Sequence, residues 1–309
     1  MSKKVKLIFN PIANLGRAWN VAAALRPIVQ EYGGADWAGT VYPGHASELA
    51  YQAGMDGYEK VVAMGGDGTV HEVINGLMQV PEEHRPVLGV VPVGSGNDFA
   101  YSMGLSSQAE AALRQVFTGE PCPVDIGQLD DMNGRIEYFS NTVGLGFDSI
   151  VTIRSRKVPI VHGFAIYFIA VLQTILLNFN PYNLKITADG ESWEETDLML
   201  VVCNGRREGG GFQIDPAALP NDGILNYVAV TGISRPKMLY TLPFFLKGTH
   251  QKLKHVRMKR VRQIEIKSEQ PLVIHTDGEI FSSLNSQTSH VTIKVIPSSL
   301  KVICCKREA

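Results

Sequence analysis

The residues best suited to chemistry stand in Gly65-Gly66-Asp67-Gly68-Thr69. Before them, Lys60–Met64 is apolar and β-branched enough for a buried strand, and after them Val70, Val73, Ile74 and Leu77 recur at helical spacing as far as Met78. The pentapeptide therefore reads as a sharp turn feeding a helix. Glycine allows the close backbone approach that a ligand needs, and the unbonded N–H groups of a helix start suit a phosphate. Asp67 has two uses in such a turn. Beside a nucleotide it holds Mg²⁺ through water or orients an attacking hydroxyl; otherwise it closes an Asx turn or caps the helix. A second loop of this kind, Pro92-Val93-Gly94-Ser95-Gly96-Asn97-Asp98-Phe99-Ala100, follows the apolar run Val87–Val91 and precedes helical sequence. Two such loops on neighbouring parallel strands face one crevice, which favours a nucleotide more than either loop alone. Neither loop is a Walker sequence or a G-x-G-x-x-G fingerprint.

The elements that must position these loops alternate. Lys4–Phe9 is a strand, Asn10–Gly16 a turn, Gly16–Tyr32 a helix, Asp36–Val41 a strand and Ala46–Met55 a helix; Gln108–Thr118 is helical again. Asn10 stands at the carboxyl end of the first strand, where an open α/β sheet meets its ligands, although an Asn there also satisfies turn backbone. From Pro121-Cys122-Pro123 onward the pattern changes to short alternating strands: Val124–Leu129, Arg135–Val143, Leu184–Thr187, Leu198–Asn204, Ile224–Val230, Gln263–Lys267, Leu272–Thr276 and His290–Val295. The expectation is an α/β domain over residues 1–123, a linker at Pro121–Pro123, and an antiparallel β-sandwich over 124–297. Pro297-Ser298-Ser299 breaks the last sandwich strand, and residues 298–309 return to the first domain.

Composition bounds the rest. A chain of 309 residues with 45% hydrophobic and 19% charged residues buries a large core, and a net charge of −1 argues against nucleic acid as the partner. Cys122, Cys203, Cys304 and Cys305 match no metal spacing, and the short basic start lacks a signal peptide's apolar core, so free thiols in the cytoplasm are expected. Pro159–Phe179 approaches the length of a membrane span, about 20 residues. It contains His162, Gly163, Gln173 and Asn178 and interrupts a β domain, so the expectation is a core helix or the wall of an acyl-chain pocket. The cations Lys252, Lys254, Arg257, Lys259, Arg260 and Arg262 make either a solvated strand face or a contact with anionic lipid.

GGDGT between strand and helix resembles the nucleotide site shared by diacylglycerol and sphingosine kinases, NAD kinases and phosphofructokinases. Two further segments narrow this: Asn204–Phe212 followed by Pro216–Leu225, and His275-Thr276-Asp277-Gly278-Glu279. With Asn10-Pro11, Thr40 and the Gly94–Ala100 loop, the ordered set resembles the bacterial diacylglycerol-kinase-type lipid kinases over nearly the whole chain. The resemblance implies ATP in a cleft between the domains, held by Asn10, Pro11, Asn14, Thr40, Gly65, Gly66, Asp67, Gly68, Thr69, Glu72, Gly94, Ser95, Asn97 and Asp98. Relatives usually carry Thr where Ser95 stands, which keeps the hydroxyl, and Arg near Tyr101, which is absent here. It further implies a structural Mg²⁺ on Asp222 and the carbonyls of Leu219 and Ile224, in place of a plain Asp-Gly turn. Asp277 and Glu279, taken as side by side in an extended segment, are the acids expected to deprotonate the acceptor hydroxyl, with Asp67 the third candidate. The expected substrate is a neutral lipid, diacylglycerol first, met at a membrane surface. A homodimer is the assembly left open. The rival expectations are an NAD-kinase-like phosphotransferase and a non-catalytic lipid-binding protein of the same fold.

Overall fold

The computed structural model describes residues 4–14, 16–157 and 164–304. Contacts divide the chain into two compact units, one running to Asp125 and resuming at Ser298, the other Ile126–Pro297. The chain passes between them inside strands, so no linker exists at Pro121–Pro123.

The first unit is built from β1 (Val5–Phe9), α1 (Arg17–Glu31), β2 (Asp36–Gly39), α2 (His45–Met55), β3 (Lys60–Gly65), α3 (Asp67–Met78), β4 (Val87–Pro92), α4 (Asp98–Ser102) and α5 (Ala109–Thr118). Its sheet is parallel in the order β2-β1-β3-β4. Leu7, Phe9, Val62, Met64 and Val91 pack with α1 and α5 residues such as Leu25, Val29 and Leu113. The alternate positions Ile8, Val61 and Ala63 are equally buried, so the strands read as continuous apolar runs because both faces are covered. The strand order reverses between β1 and β3. A crevice therefore lies beyond the carboxyl ends of those two strands.

β5 (Glu120–Asp130) leaves this unit, and β6 (Ile136–Phe139), β7 (Thr142–Gly146), α6 (Phe147–Ser155), α7 (Phe164–Leu177), β8 (Tyr182–Ala188), β9 (Glu191–Cys203), β10 (Arg207–Glu208), β11 (Phe212–Gln213), β12 (Leu225–Thr231), α8 (Arg235–Lys247), β13 (Val256–Val261), β14 (Gln263–Ser268), β15 (Ile274–Thr276) and β16 (Glu279–Ser282) follow. β17 (His290–Cys304) begins in the second unit and ends in the first, where Val302 pairs Leu88 in parallel. Pro297-Ser298 does not break it; Ser298 takes a φ of 51° within an unbroken strand. The second unit is antiparallel. β9 organises it: Glu191–Asp197 pairs β8, and the following residues run between β7 and β12. Leu200 and Val202 point into the sandwich core with Tyr227 and Ile264, whereas Leu198, Val201 and Cys203 face a helical layer with Val171, Met238 and Phe245. Burial on both faces explains the unbroken apolar run there.

Several expectations need correction. Arg135–Val143 is two strands parted at Ser140-Asn141, because those residues bind a carboxylate described below. The cationic run falls partly on β13, a strand face as one of its two expected readings has it, where Arg257 pairs with Glu195, Lys259 with Glu191 and Arg260 with Asp222. Cys122 and Cys304 are not free thiols. They form a disulfide with Cα atoms 6.1 Å apart, across 182 residues of sequence that gave no sign of the contact. Cys203 is free and buried, and Cys305 lies outside the described residues. Of Pro159–Phe179, residues 159–163 also lie outside them, and no described helix is long and apolar enough to cross a membrane.

One buried charge sets a pH dependence. Asp197 is 1% exposed, with its carboxyl beside that of Glu195. Burial, with the nearby Glu195 charge second, pushes its carboxyl up to about 9 from an ordinary 3.8. Tyr227 and Arg257 bind Glu195 instead. A folded value above the unfolded one means that the folded chain holds the proton more tightly. Its stability contribution is complete below the unfolded value and is lost as pH rises toward 9, at about 1.4 kcal/mol per pH unit. Asp197→Asn should flatten urea-denaturation stability between pH 5 and pH 8; parallel profiles for the two proteins would refute this.

Candidate functional site

In the first unit the predicted residues gather at the carboxyl edge of the sheet. Asn10 donates its backbone N–H to Met64 O (3.2 Å), Thr40 donates to Phe9 O (2.9 Å), and Val93 and Gly94 donate to Gly65 O (2.8 and 3.2 Å). The two glycine loops touch through their backbones. A Cβ on Gly94 would lie 2.4 Å from Gly66 Cα, and one on Gly65 would lie 2.3 Å from Thr69 Oγ1. The turn is shorter than the sequence suggests. α3 already begins at Asp67, so Asp67, Gly68 and Thr69 form its first turn, with the Thr69 N–H donating to Gly66 O at 3.0 Å. Asp67 Oδ1 accepts the Phe99 N–H at 3.3 Å, which joins the two loops. Asn97, at φ 53°, closes the second loop on Gly94: Nδ2 donates to Gly94 O (2.8 Å) and Oδ1 accepts Gly94 N–H (3.1 Å). Ser95 and Asn14 are exposed, whereas Asp98 is buried. Asn10 Oδ1 accepts the Ile12 N–H, closing the turn through Pro11. Glu72 is otherwise engaged. Its oxygens accept Gly44 N–H (2.8 Å) and Ala46 N–H (3.0 Å), capping α2 as a negative charge at a helix start does.

In the second unit Asp277 and Glu279 part company. Asp277 and Gly278 have φ of 52° and 84°, and Thr276 pairs Glu279, so they form the two-residue turn that Asp-Gly favours and not an extended segment. The Asp277 carboxylate accepts N–H bonds from Ser140 (2.9 Å), Asn141 (2.8 Å) and Thr142 (3.0 Å), and the Ser140 hydroxyl at 3.4 Å. Three successive amides cradling one anion are a structural clamp. A carboxylate so engaged has little lone pair left for a substrate proton, and the expectation of Asp277 as the base is withdrawn. Glu279 is half-exposed and pairs with Arg156 at 2.5 Å; the same guanidinium donates to Gly278 O. Asp222 sits in a polar depression with Asp215 and Asn226. Its Oδ1 accepts the Ile224 N–H (3.1 Å) and Oδ2 pairs with Arg260 (2.6 Å); Leu219 is exposed beside it. These neighbours offer oxygen donors, as Mg²⁺ requires, and the ion would have to displace the exposed Arg260.

Sequence reasoning missed the polar centre of this unit. Asp148 at the start of α6, Glu208 in β10 and His275 in β15 bring their ligating atoms within 4.8 Å of one another. His275 Nε2 lies 2.8 Å from Asp148 Oδ2 and 3.0 Å from Glu208 Oε1, and the Thr142 hydroxyl donates to Glu208 Oε2 (3.1 Å). Only glycine fits at 144, since a Cβ there would lie 2.1 Å from Asp148 Oδ2 and 2.2 Å from His275 Nε2. Burial opposes charge on His275, but the Glu208 and Asp148 carboxylates outweigh it and push the imidazole up to about 10. Burial, then the Asp148 charge, raises Glu208. Gly278 N lies 3.2 Å from His275 Nδ1, and Nε2 faces the two acids. The trio is a hydrogen-bonded acid group sharing a surplus proton.

Asp148 and Glu208 stand among the lining of an apolar cavity of about 40 Å³. Phe147 and Val151 of α6, Tyr167 and Val171 of α7, Met238, Leu242 and Phe245 of α8, and Met199 of β9 form its walls.

Residues 4–129 match the diacylglycerol kinase catalytic domain, and 141–304 match the YegS C-terminal NAD kinase beta sandwich-like domain. A protein of Chromohalobacter salexigens named "Probable lipid kinase YegS-like" is 34% identical over 76% of this chain and 74% of its own. The diacylglycerol kinase of Mycobacterium tuberculosis is 31% identical over 84% of this chain and 81% of its own. The crystal structure of a Bacillus anthracis diacylglycerol kinase shares the fold, with a TM-score of 0.72 at 22% identity over 98% of this chain and 97% of that one. The chain belongs to the diacylglycerol-kinase-like family of lipid kinases.

Proposed function

We propose that the protein transfers the γ-phosphate of ATP to the hydroxyl of a neutral lipid, with diacylglycerol as substrate and phosphatidic acid as product. The observation that carries the lipid half is the apolar cavity that Asp148 and Glu208 help to line. The nucleotide half is supported by the joined loops Gly65–Thr69 and Gly94–Asp98. Mg²⁺ bound with the triphosphate would supply positive charge to offset that developing on the leaving oxygen. Asp67 and Glu279 remain the acids for the acceptor proton. Asp222, with Leu219 and Ile224, is the place for a structural Mg²⁺. ATP as donor places the reaction in the cytoplasm, with product feeding phospholipid synthesis.

Purified protein, labelled ATP and a panel of lipids in mixed micelles, with products identified by mass, test the reading. Phosphate on a diacylglycerol hydroxyl supports it. Transfer to NAD but to no lipid would establish the NAD-kinase-like rival, and lipid binding without turnover the non-catalytic one. Filling the cavity separates lipid contact from general damage. Val171→Trp or Met238→Trp should lower kcat/KM for long-chain diacylglycerol by about tenfold or more, chiefly through KM, because uniform binding is what the indole displaces. Wild-type KM in both variants would remove the cavity from the substrate path.

A further inference from the structure

The helices that wall the cavity are apolar on their outer sides as well. α7 carries no charged residue; Ala170, Val171, Thr174 and Ile175 are buried, while Phe168, Leu176 and Leu177 are 36%, 68% and 66% exposed. α8 buries the stripe Met238, Thr241, Leu242 and Phe245. Its opposite side presents Leu239, Tyr240, Pro243 and Leu246, with Tyr240 61% exposed. A helix on the surface of a water-soluble unit ordinarily turns polar residues outward. The charges here are of one sign: Lys237 and Lys247 on α8, then exposed Lys252 and Lys254 beyond it, with no acid on either helix. Arg235 fastens the pair, donating to Ile175 O at 2.8 Å and lying over the Phe179 ring.

We infer that the outer faces of α7 and α8 dock this unit on the surface of an anionic lipid bilayer. The inference deepens the lipid-kinase reading and rests on it for the identity of what the cavity draws from the bilayer. Charge complementarity selects the occupant. Large apolar side chains flanked by lysines match acyl chains beneath anionic headgroups, whereas a second copy of the same face would set lysines against lysines. Continuity supports it too, since Met238 and Leu242 line the cavity from the inner side of the helix that presents Leu239 and Tyr240. The β13 arginines do not supply this surface, because Arg257 and Arg260 are paired with acids.

The test is flotation of the full chain with vesicles of phosphatidylcholine alone and of phosphatidylcholine mixed with phosphatidylglycerol. Wild type should bind the anionic vesicles about tenfold or more tightly than the neutral ones, and less so in high salt. The triple change Leu239→Ser, Tyr240→Ser, Leu246→Ser and the pair Lys237→Glu, Lys247→Glu should each weaken binding to anionic vesicles by about tenfold or more. Turnover of a short-chain diacylglycerol dissolved as monomer should stay within about twofold, since neither set touches the cavity. Folded variants that float like wild type, or wild type that ignores anionic lipid, would overturn the inference. So would a wild-type dimer that the triple change makes monomeric without altering flotation, which would assign the face to a second copy. Vesicle binding lost in the variants, from a protein that phosphorylates no lipid, would overturn the proposed function and leave the docking surface standing.

Discussion

Asp277→Asn is expected to cost about 3 kcal/mol or more of folding stability, with loss of activity following loss of fold. The Asp277 carboxylate receives three consecutive amides, Ser140 to Thr142, and a hydroxyl. An asparagine keeps one acceptor oxygen and turns an NH₂ group toward donors. At least two bonds to an anion are lost, at about 1.5–3 kcal/mol each, and an amide is left facing a donor. Because those amides belong to the β6–β7 connection, the damage reaches the start of β7 and through it Gly144. Urea denaturation checks this, with kcat measured on whatever fraction remains folded. A general base would behave in the opposite way, with stability unchanged and turnover down by about 10²–10⁴. A variant as stable as wild type but inactive would restore Asp277 to catalysis.

Gly94→Ala should be the most damaging single methyl group in the nucleotide loops. The added Cβ would meet Gly66 Cα at 2.4 Å. The obstacle is backbone, with no flexible side chain to swing aside, so the loops after β3 and β4 must separate by about 1 Å to reach ordinary contact. Gly94 N–H bonds to Gly65 O and Asn97 Oδ1 would loosen together. A displacement of about 1 Å in groups that position a reacting phosphate costs about 10²-fold. The expected result is a loss of that order in kcat/KM for ATP, with the second unit's stability unaffected. Folded protein with wild-type ATP kinetics would show that these loops do not hold the triphosphate.

Much of this was legible in the sequence, for stated reasons. Strands β1, β3 and β4 announce themselves because burial on both faces leaves nothing but apolar residues, and the glycine loops stand out directly after them. The helix start at Asp67 was hidden, since Gly66 and Gly68 look like turn and not like a cap and its first turn. α8 was missed because Pro236 and Pro243 punctuate it, and α6 because FDSIVTIRS is rich in β-branched residues. The Asp148–Glu208–His275 group was beyond reach. It exists because β15 pairs β7 with His275 opposite Gly144, a long-range register that no local spacing encodes. Asp277 and Glu279 were placed together by an assumed extended backbone, and two left-handed residues sent them to different partners.

The final strand also bears on synthesis. Arg85 in the loop before β4 donates to Ser299 O, 214 residues further along, and buried Val302 and Ile303 extend the parallel sheet beside β4. A ribosome will therefore have released the whole β-rich stretch before the earliest-made half can acquire its last strand. That half must wait with an unpaired β4 edge, the situation that chaperones exist to shield. Truncation before Ser299 should thus injure the α/β unit formed by residues far earlier in the chain.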